Sequence, residues 1–132
     1  MELTGDWRLN AGSTPRDDRG RRSGWLSDKP GSFIRFHVQT AEQLSITYLA
    51  SFANFGPFRV WAGDRPHSPG AVSVEVEGRR DRFSLPAVAR FPSTSELMRA
   101  LRRGGSLWIE NAGAADGPSR VKILGVVSAD CH

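Results

Sequence analysis

The stretch LSITYLASF, residues 44–52, decides the fold class. Leu44, Ile46, Tyr48, Ala50 and Phe52 fall on one side of an extended chain, and Ser45, Thr47 and Ser51 fall on the other. A repeat of two with a polar alternate side is the pattern of a half-buried β-strand. The segment before it behaves the same way: over 33–39, Ile34, Phe36 and Val38 share one side while Arg35, His37 and Gln39 share the other. Between these strands and the earlier 24–27 segment stands Asp28-Lys29-Pro30-Gly31, where proline presets one dihedral and glycine accepts the positive one. After 44–52, Asn54-Phe55-Gly56-Pro57 turns the chain. Residues 58–62 then return with Phe58, Val60 and Ala62 facing in and Arg59 and Trp61 facing out.

Further strands are expected at 7–11, 72–76, 82–91, 106–111 and 120–128, spaced by turns rich in Gly and Pro. Pro86 lacks an amide hydrogen for a ladder, so 82–91 is expected at a sheet edge. Ser93-Thr94-Ser95-Glu96 reads as a helix start. Leu97, Met98 and Leu101 suit one short helix, ended by Gly104-Gly105. The expected fold class is all-β: an antiparallel β-sandwich or jelly roll of about eight strands with one short helix near 95–103. It forms a single domain over residues 1–132, with 1–5 and 129–132 as frayed tails.

Composition agrees with a globular chain: hydrophobic residues make up 39% and charged residues 24%. No apolar run approaches the roughly 18 residues of a membrane span, and Met1–Trp7 has neither the basic nor the apolar region of a secretory leader. Cys131 is the single cysteine, so no internal disulfide forms. With His132 it falls short of the four ligands a structural zinc takes. The net charge is +4. It comes mostly from arginine, the residue suited to carboxylates, phosphates and planar stacking. Arg19-Gly20-Arg21-Arg22, Arg79-Arg80 and Arg102-Arg103 sit beside Gly or Asp in turn-like stretches. They read as solvated loops rather than a nucleic-acid stripe.

Three stretches carry a resemblance: RRSGWLSDKPGSFIRFHV (21–38), LSITYLASFANFGPFRVWAG (44–63) and RVKILGVVS (120–128). Together they resemble a galactose-binding-like β-sandwich, or jelly-roll, accessory domain of plant and algal proteins. Such domains are often attached to catalytic domains of the SGNH-hydrolase or glycosyltransferase type. The resemblance spans about 7–128. It implies a jelly-roll fold and an accessory role beside a catalytic domain. Relatives of that kind often carry cysteines after the strand matching 58–62. This chain has Asp64-Arg65-Pro66-His67-Ser68 there instead. In the same pattern the position of Trp25 accepts Trp or Phe. A phenyl ring cannot replace an indole N–H donor, so Trp25 is expected to plug one end of the sandwich rather than hold a ligand.

Catalytic constellations are lacking in the sequence. No Gly-x-Ser-x-Gly, phosphate-loop or His-Glu-x-x-His motif occurs, and His37, His67 and His132 are scattered. Asp17-Asp18 lie in an arginine-rich loop, and Glu75 and Glu77 share a strand's outward side, so neither pair marks an acid–base couple. The chain is therefore expected not to be an enzyme and to need no cofactor or metal.

Sugar recognition requires aromatic area for the apolar side of a pyranose and polar groups for its hydroxyls. Trp61 alternates out of the core beside Arg59. Arg35 and His37 are expected on a neighbouring strand, and Trp108 alternates away from Leu107 and Ile109. These five are the candidate ligand-binding residues. The competing reading places an outward tryptophan under a loop or under the 96–103 helix. The expected function is a non-catalytic carbohydrate-binding-like module, with a glycan and a linked or partner catalytic domain as its partners. The alternative is a structural or protein-interaction sandwich with no sugar ligand. Nucleic acid rests on charge alone and is disfavoured, and no membrane partner is expected.

Overall fold

The computed structural model of the chain describes residues 2–10, 24–36, 43–50, 56–77, 85–104, 106–113 and 120–129. Among these, ten strands and one helix follow in the order β1 (Glu2–Thr4), β2 (Arg8–Asn10), β3 (Gly24–Ser27), β4 (Phe33–Phe36), β5 (Gln43–Ala50), β6 (Phe58–Gly63), β7 (Val72–Val76), β8 (Leu85–Phe91), α1 (Glu96–Arg102), β9 (Ser106–Asn111) and β10 (Val121–Ala129). They form two five-stranded antiparallel sheets, ordered β1-β4-β9-β6-β7 and β2-β3-β10-β5-β8. The chain is an all-β sandwich, with sequential strands repeatedly crossing from one sheet to the other.

Alternation explains the interior. On β5, Leu44, Ile46 and Tyr48 are buried; on β6, Phe58, Val60 and Ala62; on β9, Leu107 and Ile109. With Ile34, Val121, Ile123 and Trp7 they make one core drawn from both sheets. The Tyr48 and Phe58 rings meet edge to face across it, 5.1 Å apart. Each fully buried aliphatic or phenyl side chain contributes about 1.5–3 kcal/mol of transfer free energy, which makes this cluster the main source of stability. Trp25 pairs with Ile123 and packs, partly buried, against the same core.

Helix α1 forms where the sequence signals it. Ser95 holds an extended backbone and its Oγ accepts the Met98 amide at 3.3 Å, while Glu96 lies in the first turn and Arg99 and Arg102 in the last. Leu97, Met98, Ala100 and Leu101 are buried in the core. Gly104, at φ 97°, ends the helix in the left-handed region. Arg102 is thus the last helical residue and Arg103 its C-cap, rather than parts of a turn. Pro86 sits on β8, the outer strand of the second sheet, opposite Leu49 of β5, in keeping with the edge position expected of a strand that contains proline.

The first residues depart from expectation. Glu2–Thr4 are not a frayed tail: they pair with β4 in the register Leu3↔Ile34 and form the edge of the first sheet. Leu3 is exposed there. Backbone pairing rather than side-chain burial sets this strand, and so it leaves no hydrophobic pattern to read. At the other end, Ala129 belongs to β10, and residues 130–132 lie outside the described residues. So do Asp17-Asp18 and the arginine clusters at 19–22 and 79–80.

Candidate functional site

Because Phe58, Val60 and Ala62 point into the core, the alternate residues of the first sheet line its outer face. The register sets two rows across it. One runs Phe33, Glu110, Arg59, Glu75, and the other runs Arg35, Trp108, Trp61, Ser73. Trp61 and Trp108 are direct cross-strand partners at the centre, on β6 and β9. The Arg35 guanidinium carbon lies 5.8 Å from the Trp108 ring centre, and that of Arg59 lies 5.9 Å from the Trp61 ring centre. These are cation–π distances. Phe33 meets Trp108 edge to face at 5.4 Å. Four of the five sequence candidates are thus gathered on one face, and His37 lies outside the described residues.

The tryptophans are covered rather than open. Trp61 is 7% exposed and Trp108 3%. Each indole N–H also has an acceptor within the protein: Trp108 Nε1 donates to the Gly63 carbonyl at 3.2 Å, and Trp61 Nε1 donates to Glu110 Oε1 at 3.0 Å. Over Trp61 lies His67, from the loop between β6 and β7, with ring centres 4.5 Å apart and planes tilted by 57°. Its Nε2 is hydrogen-bonded to Glu110 Oε2 at 3.0 Å. Outward orientation and cover by a loop therefore both hold for Trp61. The solvent-facing layer is made of the half-exposed arginines and the imidazole, with the indoles beneath.

Glu110 and His67 are site residues that the sequence reading did not select. Glu110 had a signal: it lies two residues from Trp108, hence on the same side of β9. His67 had none, because its place depends on a loop folding back onto a strand 43 residues further along the chain.

A second polar cluster ties one end of the sandwich together. Asp6 accepts the Ser27 hydroxyl at 2.6 Å and the Asp28 amide at 2.8 Å, and its own amide donates to Ser32 Oγ at 3.1 Å. Asp28 accepts from Arg8 and, at 2.7 Å, from Arg120 Nε. Buried Asn111 donates to Ser27 Oγ at 3.0 Å and accepts the Gly113 amide at 3.0 Å. Burial alone would raise both aspartates. The bonds from Ser27, the Asp28 amide and Ser32 hold Asp6 below its ordinary 3.8, and those from Arg120 and Arg8 do the same for Asp28. The members of this cluster bond mainly to one another, which suits a brace between strands. A hollow of about 430 Å³ beside α1, lined by Ser93, Thr94, Arg99 and Arg102, lies apart from both clusters. There Arg102 donates to the Ser93 carbonyl at 2.7 Å.

No family model matches the chain, and no curated protein matches it. Among solved structures, the chain is similar to xylanase 10C (mutant E385A) from Cellvibrio japonicus in complex with xylopentaose, at 11% identity and a TM-score of 0.49. That match covers 100% of this chain and 28% of the other, so the chain spans little more than a quarter of that protein's length.

Proposed function

We propose that this chain is a non-catalytic, carbohydrate-binding sandwich module that serves as the accessory domain of a glycan-active protein, with the outer face of the first sheet as its recognition surface. The observation that carries the reading is the Trp61–Trp108 pair at the centre of that face, bordered by Arg35, Arg59 and Glu110. Aromatic area flanked by donors and acceptors on a rigid sheet is the combination that pyranose recognition uses. The accessory setting follows from the galactose-binding-like resemblance. The test is a glycan array followed by titration with intrinsic tryptophan fluorescence. A saturable response that Trp61→Ala removes is expected. Silence across neutral and acidic glycans would overturn the reading.

The alternative, a structural or protein-interaction sandwich without a sugar ligand, is favoured by one observation. Both indoles are almost wholly covered, and both N–H groups are satisfied from within. It differs in outcome, because association with another protein chain would then survive Trp61→Ala.

A further inference from the structure

Resting on the carbohydrate-binding reading, we propose that the space now filled by the His67 imidazole is a subsite for a neutral sugar ring, with His67 as its displaceable cap. The imidazole already makes the two contacts a pyranose would make there. It lies against Trp61 with ring centres 4.5 Å apart, and it is hydrogen-bonded to Glu110 Oε2 at 3.0 Å. The two carboxylate oxygens divide their work. Oε1 holds the Trp61 indole N–H, which fixes the platform, and Oε2 is taken by His67 alone among the bonds described. When the imidazole leaves, Oε2 becomes an acceptor for a sugar hydroxyl directly beside the uncovered indole.

The cap is built to move. The His67 side chain is 63% exposed whereas that of Glu110 is 13%, so the imidazole is the outermost layer. His67 holds φ 63°, and among the described residues it is the only non-glycine at positive φ. That conformation is disfavoured for a residue bearing a Cβ. The loop's own hydrogen bonds run within it, from Ser68 Oγ to the Arg65 carbonyl at 2.7 Å and from the Ala71 amide to the Ser68 carbonyl at 3.1 Å. These bonds keep the loop together, and the imidazole is joined to the sheet through its Glu110 bond and its Trp61 contact.

Charge selects the class of sugar. In the two rows of the face, Arg35 and Arg59 are balanced by Glu75 and Glu110. Glu110 itself sits at the subsite, where a uronate would meet a like charge. A neutral glycan with a hydroxyl to donate is what this arrangement accepts.

The test uses the whole chain and two readouts. Acrylamide quenching of tryptophan fluorescence probes the cap without any sugar. His67→Gly, which also suits the left-handed backbone and should therefore fold, is expected to raise quenching, and the rise should vanish in His67→Gly/Trp61→Phe. No rise overturns the cap. Calorimetric titration then uses cellohexaose, xylohexaose and mannohexaose as neutral probes and hexagalacturonate as the charged one. Removing an imidazole that competes through one hydrogen bond and one ring contact should tighten a neutral hexaose by about 5- to 30-fold, and adding Glu110→Gln to His67→Gly, where no imidazole competes for the carboxylate, should weaken it again. Unchanged or weaker binding by His67→Gly, equal binding by His67→Gly and His67→Gly/Glu110→Gln, or preference for hexagalacturonate would each overturn the subsite. A rise in quenching with no binding of any probe would instead overturn the carbohydrate reading and leave the cap standing.

Discussion

Trp61 and Trp108 sit side by side as cross-strand partners on the outer face of the first sheet, and their indole N–H groups diverge to different acceptors, Glu110 on β9 and the Gly63 carbonyl at the end of β6. The pair is therefore part of the packing as well as the centre of the proposed recognition face, and the two roles separate by substitution. Trp108→Ala should lower stability by about 3–5 kcal/mol, the usual cost of emptying a buried aromatic site. Trp108→Phe gives up one hydrogen bond and part of the ring area, and should cost less. Urea unfolding of the two variants checks the order.

Acid should weaken the brace at Asp6 and Asp28. Both carboxyls are held below their ordinary 3.8 in the folded chain, against the pull of burial: Asp6 by the Ser27, Asp28 and Ser32 bonds, and Asp28 by the Arg120 and Arg8 bonds. A depressed folded value means that the unfolded chain binds protons first as pH falls. The stabilisation is thus fully present above 3.8 and is lost as pH drops below it toward the folded values. The urea midpoint of the native chain should fall across that window. In Asp6→Asn/Asp28→Asn the fall should be shallower and the midpoint at neutral pH lower. Parallel pH profiles of the two proteins would contradict the assignment.

Gly5 should not tolerate a side chain. It holds φ 89° where the chain leaves β1, and a Cβ there would lie 2.9 Å from the Ser32 Cα and closer still to the Ser32 side chain. Ser32 is pinned in turn by its bond from the Asp6 amide. Gly5→Ala is expected to cost at least about 1–3 kcal/mol from the backbone conformation alone, with the collision added. Thermal unfolding measures it, and a melting temperature equal to the native one would refute the contact.

Asn111→Ala should lower stability by about 1–3 kcal/mol, because it removes the amide donor to the buried Ser27 Oγ, which keeps its bond to Asp6, and takes the acceptor from the Gly113 amide. Urea unfolding gives the value. Asn111→Ala without effect would show that the two sheets do not depend on this bridge.

The parts that were legible in the sequence are those fixed by local alternation. Leu44, Ile46 and Tyr48, then Phe58, Val60 and Ala62, announce their burial two residues at a time, and the same count sends Trp61 and Trp108 to the opposite side. Ser95 and Gly104 mark the helix ends, because caps are local chemistry. What escaped is long-range. Strand β1 pairs through its backbone and carries no hydrophobic signature. The cover over Trp61 comes from His67, whose position depends on how a loop closes rather than on any periodicity. The rows that join Arg35 to Trp108 and Arg59 to Glu110 exist only once the strand order β4-β9-β6-β7 is known. Alternation cannot supply that order.

The central claim is that the outer face of the first sheet recognises glycan. Two-dimensional amide and indole N–H NMR during titration with a bound oligosaccharide from the array tests it most directly. The account predicts shifts concentrated on the Trp61 and Trp108 indole signals and on the amides of β4, β6 and β9, with Glu110 among the largest. Shifts confined to the hollow beside α1 or to the second sheet, with both indole signals unmoved, would contradict it.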